Sequence, residues 1–322
     1  EFVGTDAISI SKLFDDFVAN PVSVILAHTI FMAINYFIIA SGVKGLEKAV
    51  RFLMPGLLLL LFILFIYSLT SGSFMDGVKF MFTPNFNALN WDGVLTAMGL
   101  ACFTLSIGMG AIMAYGAYLP QETSITNATV SVVIADTGIA MLAGLVIFPL
   151  VFANGLNPGE GPDLVFKTLP LVFGQMQVGT FLATIFFVLL SFAALTSALG
   201  LMEPAVAWMV ESTEYSRKQC AATIATIIWF LGLGTALSFN TMADFKFLNG
   251  TIYENVDFLT SNIMLPLGAV FTTFFAAWIM SKNSTSEELD GHGLTYNIWR
   301  FLAKYFSPIA ILIIFLQAIG WI

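Results

Sequence analysis

Apolar residues dominate eight long stretches of this chain, approximately Val22–Val43, Val50–Leu69, Gly93–Tyr118, Ile125–Phe152, Gly179–Met209, Cys220–Phe239, Val256–Met280 and Trp299–Trp321. Roughly 20 apolar residues suffice to cross a ~30 Å hydrocarbon core as a helix. The pattern therefore predicts an all-α fold, a polytopic membrane helical bundle of about eight spanning helices. Inside the third stretch the chain reads Phe103-Thr104-Leu105-Ser106-Ile107-Gly108-Met109-Gly110. Glycine costs about 1 kcal/mol in a helix interior relative to alanine, and two lie here next to a serine and a threonine. The run predicts a break in the helix. An unwound stretch at bilayer depth is tolerated only where protein or a water-filled cavity surrounds it, and such breaks most often bind an ion or a polar substrate at the midplane.

The segments between the spans are short. Residues 8–18 place Ile8, Leu13, Phe14 and Phe17 among Lys12, Asp15 and Asp16; a surface helix is one reading, and a loop packed on the bundle is the expectation. Gly45 and Pro55 bracket Leu46 to Arg51 before the second span, and a proline there removes a helical hydrogen bond, so the stretch is expected to unwind easily. Thr83-Pro84-Asn85 and Asn157-Pro158-Gly159-Glu160-Gly161-Pro162 are turn-rich loops. No low-complexity linker or water-soluble domain interrupts the bundle.

Composition strengthens this picture: 58% of residues are hydrophobic, only 10% are charged, and the mean hydropathy is +0.89. Soluble domains carry about a quarter charged residues. The two cysteines, Cys102 and Cys220, both fall within apolar stretches, which argues against a disulfide framework or a metal knuckle. The net charge of −8 and the lack of a basic cluster argue against nucleic acid as a partner; membrane lipid is the expected surrounding. Lys44, Lys48, Arg51, Arg217, Lys218, Lys282, Arg300 and Lys304 fall in one set of alternate loops, and Lys12, Lys79, Lys167 and Lys246 in the other. Eight against four places the first set in the cytoplasm. Residues 1–20 are then external with no signal peptide before them and a first residue that is not Met, so an odd number of helices is expected upstream.

Two acids lie well inside spans, where burying a charge is expensive and points to function. Asp136 follows Ile125 by 11 residues, which at 1.5 Å per residue puts it roughly 16 Å into its helix. With no basic residue deep in a span to pair with, it needs a bound cation, a proton or a dense set of donors. A protonated Asp136 hydrogen-bonded in the bundle is the alternative. Glu203, beside Pro204, is expected to settle local hydrogen bonding near a carbonyl that the proline frees. Thr196 and Ser197 offer adjacent hydroxyl oxygens to a hard cation, although such residues commonly bond their own backbone. His28 is expected to be packed, since no second His or Cys completes a metal set. Nothing resembles a metalloprotease helix, a phosphate loop or a nucleophile elbow, so an intramembrane enzyme is the weaker class.

Phe103 to Gly110 resembles the unwound region of the sixth helix in the neurotransmitter:sodium symporter family, bacterial branch. Gly45 and Pro55, with nine residues between them, resemble the motif at the start of that family's fifth helix. Leu142 to Pro149 resembles the end of the seventh, and Ala193 to Ser197 with Met202-Glu203-Pro204 resembles the eighth. The resemblance implies a LeuT-like inverted-repeat fold and covers the whole chain, but only the family's part from the fourth helix onward. It divides the single transporter domain 1–322 into an external loop (1–20), the end of the first repeat (21–70), the second inverted repeat (91–281) and an additional C-terminal helix (296–322). The family's first helix supplies carbonyls to two sodium sites and donors to the substrate carboxylate, and its third a tyrosine. Both sites are therefore expected to be incomplete in this chain, which alone should not transport.

Residue by residue, the resemblance implies that Thr104 and Asp136 ligate sodium at the first site, and that Ala193, Thr196 and Ser197 ligate it at the second. Phe103, Thr104, Ser106, Met109, Gly110, Ser197 and Leu201 belong to the substrate set: carbonyls of Phe103 and Thr104 and the Ser106 hydroxyl face the substrate amine, and Phe103, Met109 and Leu201 form apolar walls. Gly110 leaves room for a large side chain. Asp257 resembles an outer-gate acid, while Gly45, Pro55 and Gly108 are hinges. Animal members use a serine and a glutamine to hold chloride; here Asp136 is in that neighbourhood and Leu100 stands where the glutamine would be, which implies no chloride requirement. The expectation is sodium-coupled symport of hydrophobic or aromatic L-amino acids across a bacterial plasma (inner) membrane by alternating access. The rivals are a proton-coupled carrier of the same fold, which would use Asp136 as its proton site, and a non-transporting scaffold.

Overall fold

The computed structural model describes residues 7–87, 89–120, 122–155, 164–174, 176, 178–248, 250–289 and 293–321. The expected turn at Asn157–Pro162 lies outside them, as do residues 1–6. Helices α1 (Ala7–Ala19), α2 (Pro21–Ala40), α3 (Val43–Leu69), α4 (Phe74–Phe82), α5 (Trp91–Thr104), α6 (Ala111–Ala117) and α7 (Ile125–Ala153) come first. They are followed by α8 (Leu164–Gly174), α9 (Gly179–Ser212), α10 (Arg217–Leu237), α11 (Ile252–Ile279), α12 (Lys282–Glu288) and α13 (Leu294–Ala318). Among the described residues, seven helices are long and apolar enough to cross a membrane. They match seven of the eight apolar stretches; the third is split into α5 and α6, each too short to cross alone.

Local chemistry sets the helix ends. The Asn20 side chain accepts from the N–H groups of Val22 (3.0 Å) and Ser23 (3.2 Å), and Pro21 opens α2, a position where its missing N–H costs nothing. Ser216 donates its N–H to Gln219 Oε1 at 2.9 Å ahead of α10. Residues 8–18 form helix α1, not the expected loop, and Phe14 stacks on Phe166 of α8 at 5.0 Å. Leu46–Arg51, the stretch expected to unwind easily, is helical in this structure, since α3 begins at Val43 and runs through Pro55 without interruption. Leu46, Glu47, Lys48 and Ala49 include strong helix formers, and Glu47 pairs with Arg51 one turn on. The turn between α2 and α3 shrinks to Ser41 and Gly42, where Gly42 takes φ +82°.

Two compact units divide the chain: Glu1–Pro84 with Gly138–Phe245, and Asn85–Thr137 with Lys246–Ile322. The first has its core where α3, α7, α8 and α9 meet, around Leu64, Leu150, Val151, Leu169, Val172, Phe173 and Ala183. Because lipid is as apolar as leucine, contact between such helices rests on close packing and on satisfied polar groups. Pro149, in α7, has no N–H to offer the carbonyl of Leu145, and Ser68 of α3 shares its hydroxyl proton between that carbonyl (3.0 Å) and the Phe65 carbonyl of its own helix (2.8 Å). Gly77 of α4 lies against the same proline, whose ring a side chain at 77 would strike. Helices α2 and α10 are joined by His28 Nε2 and the Trp229 carbonyl (3.1 Å) and by Trp229 Nε1 donating to Thr29 Oγ1 (3.0 Å), so His28 is a packed histidine.

The second unit is built on α11 and α13, with α5 packed on α13. Asn262 of α11 donates to the Ala318 carbonyl at the end of α13 (3.0 Å), and Gly99 of α5 lies beside Ile314. The cysteines stand as free thiols, Cys102 half-buried on α5 and Cys220 buried on α10.

Candidate substrate and ion site

Helix α5 opens where the Asn90 side chain accepts the Gly93 N–H at 2.8 Å, and ends at Thr104. From there Ser106, Gly108 and Gly110 have φ of +52°, +87° and +82°. A left-handed residue at every second position stops the i to i−4 ladder from forming, and Ser106 holds that conformation at a cost of order 1–2 kcal/mol. Ser106 and Ile107 return their N–H groups to the carbonyls of Phe103 and Cys102, both at 3.0 Å. No described residue gives a backbone N–H to the carbonyls of Thr104, Leu105, Ile107, Gly108 or Met109. Phe103's carbonyl, expected to face a substrate amine, accepts the Ser106 N–H and keeps a second lone pair. The expected break is therefore present, with a row of acceptors released.

The break is held by backbone contact inside its own unit. A Cβ built on Gly108 would lie 2.5 Å from the Ala269 N and from the Leu265 O of α11. A Cβ on Gly268 would in turn run into the Gly108 carbonyl. Only two glycines permit this approach. A cavity of about 530 Å³ lies beside it, bounded by Thr96, Gly99 and Phe103 of α5, Asn262 and Leu265 of α11, and Gln317 of α13.

The other predicted site residues fall on four helices. Asp136 is half-buried on α7, and no described residue hydrogen-bonds or ion-pairs with its carboxylate. Asp257 is exposed on α11 and accepts from Ser261 Oγ at 3.3 Å. Phe103, Thr104, Ser106, Gly108, Met109, Gly110, Asp136 and Asp257 all belong to one compact unit; Ala193, Thr196, Ser197 and Leu201 of α9, with Gly45 and Pro55 of α3, belong to the other. The Thr196 hydroxyl donates to the carbonyls of Phe192 (3.1 Å) and Ala193 (2.9 Å), and the Thr104 hydroxyl to that of Ala101 (3.3 Å). Each hydroxyl spends its proton on its own helix and keeps oxygen lone pairs. Such hydroxyl oxygens are hard donors; no group of three or more His, Cys, Asp and Glu among the described residues could hold a metal ion. Gly45 lies so close to Ser41 that a Cβ there would collide with the Ser41 side chain.

An interaction that the sequence did not announce is the pair between Glu203 and Arg217. Glu203 is fully buried on α9 and receives Arg217 Nη2 at 2.6 Å, while Arg217 Nε donates to the Ile39 carbonyl at 3.0 Å. The only signal available was an arginine at the start of the next helix. Fourteen residues of separation gave it no pattern to belong to.

A family model described as the sodium:neurotransmitter symporter family matches residues 1–321. An uncharacterized sodium-dependent transporter of Bacillus subtilis (strain 168), YhdH, is 36% identical over 323 residues, covering 98% of this chain and 71% of the relative. An uncharacterized sodium-dependent transporter of Haemophilus influenzae is 31% identical over 302 residues, covering 92% of this chain and 66% of its own length. Among solved structures, that of MhsT in complex with L-phenylalanine matches with a TM-score of 0.86 and 40% identity, over 96% of this chain and 71% of that one. The match establishes the LeuT-like fold, and with it a helical membrane architecture in which α5 and α6 are the halves of a broken helix. The chain belongs to the sodium:neurotransmitter symporter family, a family of sodium-dependent, multi-pass membrane transporters and not of enzymes.

Proposed function

We propose that the protein to which this chain belongs couples the inward movement of sodium to uptake of hydrophobic or aromatic L-amino acids across a bacterial plasma membrane, by alternating access. The observation that carries this reading is the break at Leu105–Gly110, where five carbonyls have left the helical ladder beside an apolar Phe103 and Met109. Released carbonyls coordinate cations and receive ammonium groups, and the apolar side chains favour an apolar substrate. The structure of MhsT with L-phenylalanine supports the same substrate class.

In this reading Thr104 and Asp136 hold one sodium ion, and the Ala193 carbonyl with the Thr196 and Ser197 hydroxyls holds a second. Phe103, Thr104, Ser106, Met109, Gly110, Ser197 and Leu201 receive the amino acid, and Asp257 closes the outer side. Sodium supplies the positive charge that lets a carboxylate and a zwitterion share a low-dielectric site. The Asp136 carboxylate takes the role that chloride would otherwise fill, so uptake proceeds without chloride. Sodium must bind one state better than the other, since a ligand with equal affinity for both shifts nothing. Gly45, Pro55 and Gly108 are the points about which α3 and the broken helix bend.

The test is binding of an amino-acid panel to the full-length protein with and without sodium. Phenylalanine, leucine, valine or tryptophan is expected to bind only with sodium; binding of a polar amino acid in their place overturns the substrate assignment. Uptake that follows a pH gradient and ignores sodium would favour Asp136 as a proton carrier, a reading favoured by the absence of any bonded partner for it among the described residues. Chloride-stimulated uptake would overturn the chloride assignment.

A further inference from the structure

At the end of α11, shortly before Lys282 opens α12, and in the first part of α13, which carries Arg300 and Lys304, the helices pass into π-helical turns, Phe275–Ile279 and Leu302–Phe306, which pack on each other. A π turn is an uncommon interruption that recurs at functional sites. Trp278 lies in the first turn; Lys304 and Tyr305 lie in the second. The Lys304 ammonium sits 4.2 Å from the centroid of the Trp278 ring and 5.5 Å from that of Tyr305, within the range of cation–π attraction. Pro308 has no N–H to give the Lys304 carbonyl, and the Trp278 indole donates to that carbonyl at 3.2 Å. The ring is thereby tied to the residue whose charge it faces.

The neighbouring cation is differently occupied. Arg300 spends its guanidinium on Thr285 Oγ1 (3.1 Å), Tyr296 Oη (2.8 Å) and the Ala277 carbonyl (3.2 Å), and so serves the helix ends. Lys304 has no carboxylate partner among the described residues, and there the Tyr305 hydroxyl makes no hydrogen bond. Phe274, Phe301 and Phe306 beside them are 46%, 62% and 59% exposed. Among the described residues, then, an ammonium with no carboxylate partner and a phenol with no hydrogen bond stand together on an apolar aromatic wall.

We propose that this patch is a binding site for an anionic phospholipid, whose phosphate bridges Lys304 Nζ and Tyr305 Oη while an acyl chain lies along Phe274 and Phe301. Charge complementarity selects the headgroup: a phosphate gives the ammonium the charge-assisted hydrogen bond that no carboxylate supplies. The aromatic wall selects an amphipathic partner over a free anion. The lysine-rich ends of membrane helices face the leaflet in which anionic lipids attract them. The site makes no use of the sodium or amino-acid assignments, so it stands or falls separately from them.

The test uses the full-length transporter in lipid nanodiscs containing brominated phosphatidylglycerol or brominated phosphatidylcholine. Bromine quenches adjacent tryptophans, and subtracting the signal of a Trp278→Phe variant isolates Trp278. Phosphatidylglycerol is expected to quench Trp278 at a mole fraction about fivefold lower than phosphatidylcholine, the factor that one basic residue near the surface provides. Lys304→Arg keeps the preference and Lys304→Gln abolishes it, with amino-acid binding retained in both. Equal quenching by the two lipids overturns the proposal, as does a preference that survives Lys304→Gln. Quenching by neither lipid means that protein covers the patch, which also overturns it. Should Lys304→Gln fail to fold, the comparison of lipids on the unaltered protein decides alone.

Discussion

Arg217 reaches the buried carboxylate of Glu203 at 2.6 Å and, with its other edge, the carbonyl of Ile39 at 3.0 Å, so one guanidinium joins α9, α10 and the end of α2. Gly42, just beyond, lies against the same side chain. Removing one member of a buried pair strands the other, which costs roughly 3–5 kcal/mol. Arg217→Ala is therefore expected to lower the melting temperature of the detergent-solubilised protein far more than Glu203→Gln, which removes the charge and keeps an acceptor oxygen. Equal, small shifts for the two variants would show that the pair contributes little.

Gly108 is the least replaceable residue of the break. Alanine there must hold a left-handed φ and place its Cβ 2.5 Å from the backbone of Leu265 and Ala269, which together cost roughly 2–4 kcal/mol. The Gly108→Ala variant should lose sodium-dependent amino-acid binding. Gly116→Ala is the matched control, since a Cβ at 116 meets nothing within 4 Å. Comparable binding by the two variants in a scintillation proximity assay would dismiss the close approach as a constraint.

Thr196 gives its proton to its own helix, so its oxygen is the part left for a cation. Thr196→Val keeps the shape and removes that oxygen. A loss of about tenfold in sodium affinity, equivalent to about 1.4 kcal/mol, is expected with little change in thermal stability. Asp136→Asn should weaken sodium activation at least as much. Sodium titration of amino-acid binding measures both, and an unchanged half-saturating concentration in the two variants would remove these residues from the ion sites.

Pro55 sits in a continuous α3 and leaves the Arg51 carbonyl without its usual N–H donor. Pro55→Ala restores that donor and stiffens the helix by up to about 3 kcal/mol. If α3 bends during sodium release, the variant should bind amino acid normally and release sodium more slowly in exchange experiments. An unaltered release rate would place the hinge elsewhere.

Much of the membrane topology was legible because lipid imposes one rule on every span: apolar side chains outside and backbone bonds inside. The break at Leu105–Gly110 was legible for the complementary reason, since paired glycines next to Ser106 cannot be explained by a continuous helix. Residues 8–18 show where the sequence misleads: they form a helix where a loop was expected, with Phe14 stacked on Phe166 of a distant segment. Leu46–Arg51 is helical, with helix formers between Gly45 and Pro55; how easily it unwinds is what the Pro55→Ala exchange experiment measures.

The sequence by itself determined that this protein is a bundle of membrane-crossing helices, that the third of them is interrupted, and that Asp136, Thr196 and Ser197 bring oxygen into otherwise apolar surroundings. Those properties depend on local composition and on spacing along one helix. Only the tertiary structure decided which distant groups satisfy one another. Ser68 serves the carbonyl freed by Pro149, Arg217 neutralises Glu203, Trp278 serves the Lys304 carbonyl above Pro308, and Gly108 meets Gly268. In each case a polar group short of a partner or a missing side chain creates a need at one place in the chain. In a medium without water it can be met only by whichever helix the fold brings alongside.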